Sequence, residues 1–237
     1  NSCTINSTGT STQISTSVFN TNYDDNKYIG YMYGGADGTA STSREQATTN
    51  ETSSTIKTYL DTWYSNNILN TEYEEYISDT LFCNDRQLQS EVGGASTGLG
   101  YGLEFTNYAP QYRLMTTKSP NLKCGLKNDR FTVNDEVIGN GDLTYPIGLI
   151  TVDELSLAGM MYYGENTNNY LYTNQNYWSL SPIYFNGSNA IIGILLSTGE
   201  LYYYPIYQPS GLRPVVSIHS ETQVTGTGTS SDPYVVS

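Results

Sequence analysis

The chain has 237 residues, with 10 Lys+Arg against 23 Asp+Glu and one His, a formal net charge of −13. Ten scattered cations on an acidic chain cannot supply the clustered Lys and Arg that phosphate backbones require, so nucleic acid is excluded as a partner and an anionic membrane surface would repel it. No run of about 18 apolar residues occurs, which leaves no helix able to insert in a bilayer. Charged residues make up 14% of the chain and Tyr numbers 23, so Ser, Thr, Asn and phenolic hydroxyls must face the solvent. That mixture is common in bacterial extracellular β-rich proteins and is also the vocabulary of binding loops. The N-terminus (NSCTINST) has neither basic residues nor an apolar core of a leader, so a signal or anchoring segment is expected to have been removed.

In chain order, residues 1–26 are Ser/Thr/Asn-rich and predict a polar arm or stalk remnant with little core, ahead of a single domain over 27–237. KYIGYMYG, from Lys27, alternates as a strand does. Ile56, Tyr59, Leu60, Trp63 and Tyr64 recur at helical spacing and predict a helix over about 53–66. Ser53 or Ser54 is its N-cap, and Ile56, Leu60 and Trp63 are expected in the core. Lys57, Asp61 and Asn66 form its polar face. Thr151-x-x-Glu154 is a capping box that starts a second, short helix through Val152, Leu155 and Leu157, stopped at Gly159. Short apolar or alternating runs follow, with the STG between AIIGILLS and ELYYY a hairpin signal. DPYVVS closes the chain. The element order predicts an α+β fold.

Chemistry-bearing residues are sparse. Cys3, Cys83 and Cys124 lack metal-ligand spacing, and Cys83 with Cys124, both inside patterned sequence, are expected to form a disulfide that stabilises the fold by about 4 kcal/mol. Cys3 is the odd thiol. His219 follows PVVSI and reads as a strand end, while Glu72, Glu74 and Glu75 read as the wet side of a half-buried segment. Asp24-Asp25-Asn26 and Asn134-Asp135-Glu136 are oxygen-rich enough to be weighed as calcium sites, but neither fits the EF-hand loop. No metal or cofactor is expected.

The stretch 177–218 says most. Tyr177-Trp178-Ser179-Leu180-Ser181-Pro182, followed by Gly211-Leu212-Arg213-Pro214-Val215-Val216, resembles the W-x-x-S-P … G-[VL]-R-P-[AV] frame of C-type-lectin-like domains related to the formylglycine-generating enzyme. Within that group it is similar to the variable proteins of diversity-generating retroelements, and the chain's end is also similar to pilin-like surface proteins. The resemblance implies a C-type-lectin-like fold with two helices on a small antiparallel sheet, and with the first and last strands, KYIGYMYG and PYVVS, paired. It implies structural roles for Trp178, Arg213 and Pro214, and no oxidase activity, since no Cys follows Cys124. It further implies a diversified face that binds a protein or glycan on another cell, surface or phage. Alternation around Ile192, Leu195, Leu201 and Ile206 as core places Tyr184, Asn186, Ile191, Gly193, Ile194, Leu196, Tyr202, Tyr203, Tyr204 and Tyr207 on that face. The alternatives are an extracellular carboxylate-dependent hydrolase and a pilin or surface-assembly subunit.

Overall fold

The computed structural model describes residues 13–227, 232 and 234–236. It is mixed α and β, with one larger sheet, several two-stranded ribbons and few helices. The sheet is built from β1 (Ser15–Ser17), β2 (Thr106–Asn107), β3 (Tyr177–Phe185), β4 (Ala190–Leu195), β5 (Leu201–Pro205) and β6 (Ser210–Leu212), in the spatial order β1-β6-β3-β4-β5 with β2 also on β3. Neighbours run antiparallel except for a single parallel bridge, Gly211 to Tyr177, between β6 and β3. The expected β4–β5 hairpin forms, and Gly199 supplies the left-handed φ of +85° its turn needs. Pro182 lies mid-strand in β3, where it cannot donate to a ladder. Register shifts opposite Ile191–Ile192 and Ile192–Ile194 accommodate it, and Ser179 Oγ donates to Gly193 O at 2.7 Å across the irregularity.

Strand β4 is buried on both faces. Ala190, Ile192 and Ile194 enter the main core with Phe19, Tyr31, Leu60, Trp178 and Ile206, and Ile191 and Leu195 enter a second core with Val152, Leu155, Tyr177 and Leu201. Burial of each such Ile contributes about 1.5–3 kcal/mol. The helices α1 (Arg44–Thr48), α2 (Thr55–Asn67) and α3 (Val152–Leu157) flank these cores. Ser54 Oγ caps α2 by accepting from Lys57 N, and α3 carries both halves of the capping box, Glu154 N to Thr151 Oγ1 at 3.1 Å and Thr151 N to Glu154 Oε2 at 2.8 Å. Cys83 and Cys124 are bonded, closing a separation of 41 residues. Cys3 lies outside the described residues.

Four expectations need correction. From Gln13 onward the polar arm is part of the fold: β1 pairs with β6, and Phe19 is fully buried, meeting Trp178 edge-on at 6.0 Å between ring centroids. Trp178 Nε1 donates to Ser17 O at 2.9 Å. KYIGYMYG is not one strand. Asp25 caps a 3-10 turn over Asn26–Ile29, and only Met32–Tyr33 extends, pairing with Thr52–Ser53. Val235–Val236 pairs with Val224–Thr225 instead of with that segment, so an early strand does meet a late one, but the partners are β1 and β6. Along α2 the core residues are Ile56, Leu60 and Tyr64, whereas Trp63 is only half-buried and Lys57, expected on the wet face, is buried with Nζ 2.6 Å from Asp61.

Replacing Phe19 by Ala should therefore destabilise the protein by about 3–5 kcal/mol in urea melts, as for other buried aromatic truncations. A flexible arm would show a loss below about 1 kcal/mol.

Candidate binding face

The two ends of the 177–218 segment are locked together beneath the hairpin. Trp178 anchors β3 to β1 as above, and Ser181 Oγ accepts from Val152 N at 3.0 Å, tying β3 to the start of α3. Arg213 stacks on the Tyr177 ring at 5.4 Å and donates from Nη1 to Leu171 O at 2.9 Å. Burial, partly opposed by Arg213, pushes the Tyr177 phenol up to about 12. Pro214 then starts a short pairing with Leu149. These contacts hold the bases of β3 and β6, so that β5, the free edge strand, is presented on a fixed support.

Across that edge runs a continuous row of rings. Phe105 lies 6.3 Å from Tyr184, Tyr184 5.2 Å from Tyr203, Tyr203 4.4 Å from Tyr202, and Tyr202 5.4 Å from Tyr163, which contacts Tyr162 at 4.1 Å. The turn carrying Tyr162 and Tyr163 docks on β5 through Leu201 N to Met161 O at 3.0 Å. Tyr163 is held at a φ of +54°, a left-handed conformation that costs a non-glycine residue roughly 1 kcal/mol, and it is 63% exposed. Phe105 is 49% exposed and Leu103 beside it 59%. The hydroxyls of Tyr162, Tyr202 and Tyr203 face that of Tyr163 and draw its pKa below 10, while burial pushes those of Tyr162 and Tyr203 up. An apolar stripe with several phenol hydroxyls gathered at one end offers both contact area and orientable donors.

The expected face is brought together only in part. Tyr184, Tyr202 and Tyr203 lie in the stripe, each half-buried, Tyr202 against the main core and Tyr184 and Tyr203 against the second, and Asn186 is exposed in the β3–β4 turn. Tyr207 is exposed but pairs with Tyr23 at 4.7 Å, outside the row. Leu196 and Tyr204 pack half-buried against the main core. Ile191, Gly193 and Ile194 are buried and cannot be displayed. A Cβ on Gly193 would stand 2.4 Å from Val152 Cγ1, so this position is glycine because α3 crosses there. Alternation misplaced these three because it presumes one wet face, and both faces of β4 are covered. Phe105, Tyr162 and Tyr163 were missed. The Leu103-Glu104-Phe105 alternation and the Met161-Tyr162-Tyr163 run, each beside a glycine, were their only trace in the sequence.

Of the carboxylates weighed earlier, Asp25, Asp135 and Glu74 have structural partners. Asp25 accepts from Lys27 N, Ser41 N and Ser41 Oγ, Asn26 donates to three carbonyls, and Asp135 accepts from Val137 N and Ile138 N. Glu74 accepts from Asn70 N, and His219 N bonds Tyr76 O. A different group stands out in a cavity of about 380 Å³ beside the disulfide. There Arg113, on a π-helical stretch over Tyr112–Thr117, donates to Asp85 at 2.6 Å and to Asp153 at 2.7 Å. Asp85 Oδ1 is buried and unpartnered. Burial, opposed by Arg113 and reinforced by Asp129 and Asp153, raises the Asp85 carboxyl from 3.8 to about 6.

Because the folded state holds that proton more tightly than the unfolded chain, the stability Asp85 contributes is present below pH 3.8 and is lost as pH rises through about 6. Urea melts of wild type against Asp85→Asn across that window should show the difference shrinking towards acid; a difference independent of pH would contradict the raised carboxyl. Tyr163 should ionise below the ordinary phenol value, and Tyr163→Phe should remove that early part of the phenolate absorbance. No protein-family model matches this chain, and no curated protein or solved structure is detectably similar to it, so what this face does has to be inferred from its own chemistry.

Proposed function

We propose that this is a ligand-binding protein of the bacterial cell surface, of C-type-lectin-like architecture, that recognises a protein or glycan partner through the aromatic stripe on the edge of its sheet. The observation that carries the proposal is the unbroken row Phe105, Tyr184, Tyr203, Tyr202 and Tyr163, exposed at both ends and mounted on a braced hairpin. Aromatic anchors supply most of the energy of protein interfaces at low entropic cost, and Tyr in particular joins apolar area to a hydrogen-bonding tip. The frame residues Trp178, Arg213 and Pro214 act as braces, as the resemblance to retroelement variable proteins implies, and the positions between them split into buried and displayed sets. Diversification would then be confined to the displayed set, because change at a packed position opens a cavity or overfills one.

A hydrolytic reading has one observation in its favour, the raised Asp85 carboxyl in its cavity. Against it, Arg113 binds both Asp85 and Asp153, and Asp153 Oδ1 also accepts from Asn121 N at 3.0 Å, leaving Asp85 Oδ1 as the one free oxygen of the pair.

The test is genetic and structural together. The neighbouring DNA should hold a reverse-transcriptase gene and a near-copy of the segment encoding 177–218. Sequencing the gene from many cells should show replacements at Tyr184, Asn186, Tyr202 and Tyr203, with Ile191, Gly193 and Ile194 constant. Replacements spread evenly over buried and exposed positions, or none at all, would overturn the diversified-face proposal.

A further inference from the structure

Helix α2 has a second, half-exposed face, from which Trp63 packs only in part against the main core. Ile56, Leu60 and Tyr64 point inward, while Tyr59 and Trp63, one turn apart, form one wall of a groove of about 610 Å³ with Asn66. The opposite side is Tyr33, Asp37 and Asn20. Among the described residues Asp37 is the only charged one lining the groove, and apart from the Trp63 indole the other polar side chains there are amides and hydroxyls. Tyr33 Oη donates to Asp37 Oδ1 at 3.0 Å. Burial and the Asp37 carboxylate push the Tyr33 phenol up to about 12, so it remains a neutral donor at physiological pH and leaves the second Asp37 oxygen for another donor.

Asn20 gives a second, independent observation. It is 2% exposed and lines the groove, its Oδ1 accepts from Thr55 Oγ1 at 3.3 Å, and its Nδ2 makes no hydrogen bond of normal geometry, although it lies close enough to Tyr33 to moderate the rise of that phenol. A buried amide without an acceptor costs about 1–3 kcal/mol, and such groups in folded proteins call for an explanation.

We propose that this groove binds a neutral sugar of one to three pyranose rings. A pyranose has an apolar face of C–H bonds and a rim of hydroxyls. The faces of Tyr59 and Trp63 carry the negative quadrupole that such C–H groups meet well, and the Asn20, Tyr33, Asp37 and Asn66 side chains offer donors and acceptors for the rim. Phosphate, sulfate and carboxylate ligands are disfavoured, because among the described residues no Lys, Arg or His lines the groove and Asp37 would repel them. The volume lies within the usual range for small-molecule sites. None of these residues belongs to the aromatic stripe, so this site and the proposed function stand or fall separately.

Trp63 reports on its own site, since the only other tryptophan, Trp178, is fully buried. The intact protein is titrated with maltotriose, cellotriose, mannotriose and tri-N-acetylchitotriose, reading tryptophan emission and calorimetric heat, with trigalacturonate as the anionic control. At least one neutral trisaccharide should bind saturably with a dissociation constant of roughly 1 mM or tighter, and trigalacturonate should not. Asp37→Asn and Tyr59→Ala, both at exposed positions, should each weaken that binding about tenfold or more while the melting temperature holds. Absence of saturable binding by all four neutral trisaccharides would overturn the proposal. So would equal binding of trigalacturonate, or affinity unchanged in both folded variants.

Discussion

The buried Arg86–Asp129 pair is the contact on which the irregular half of this molecule depends. Outside the large sheet, the chain runs in two-residue ribbons, short turns and loops, whose carbonyls cannot satisfy one another as they would in long ladders. Arg86 is fully buried and donates to Met32 O at 2.8 Å, to Asn50 Oδ1 at 3.0 Å and to the carbonyls of Thr48 and Asn128, while its Nε bonds Asp129. Asp129 also accepts from Arg86 N. One guanidinium thus gathers segments from four stretches of chain, and its charge is tolerated in the interior because the carboxylate matches it and the fork is fully bonded. Asn84 does the same on a smaller scale, accepting from Tyr31 N at 2.7 Å and donating to Leu180 O at 2.8 Å, and so joins the ribbon region to the sheet.

The sheet solves a different problem. Because β4 is apolar on both faces, it is the partition between two cores, and every strand beside it is fixed from two directions. That rigidity is what permits β5 to be a free edge bearing tyrosines without becoming a template for pairing with another chain. Its outer flank is partly covered by the 161–164 turn, and the rings themselves crowd the approach. A binding surface mounted on strands is held more accurately than one on loops, and the stripe has strands beneath its middle and loops at its ends.

Two surfaces therefore use aromatic residues in opposite ways. In the stripe, rings pack on rings, the wide contact area that the proposed recognition of a large partner would use. Along α2, two rings form one wall and amides and a carboxylate the other, which suits a small ligand with one apolar side. Neither surface draws on positive charge. Of the chain's few Arg and Lys, Lys27, Lys57, Arg86 and Arg113 are buried in structural roles, Lys27 donating to the carbonyls of Ala36 and Thr39.

Some of this was legible in the residues alone. Helical spacing from Ile56 to Tyr64, the Thr151–Glu154 capping box, the STG turn and the Cys83–Cys124 pair all came through, because each depends on neighbours in the chain or on the absence of competing partners. Tertiary structure alone decided what each face meets. Ile14, Val18 and Phe19 are among the few apolar residues in a polar stretch, too sparse to set a period, yet Phe19 fills the space beside Trp178. Trp63 shares a helix with Leu60, but only the positions of Asn20 and Tyr33 turn its side of the helix into a groove. Ile191, Gly193 and Ile194 fall on both faces of β4, and α3 and the main core close over them from opposite sides. Periodicity reveals which side chains share a face; whether that face is covered depends on segments far away in the chain, and local sequence carries no record of them.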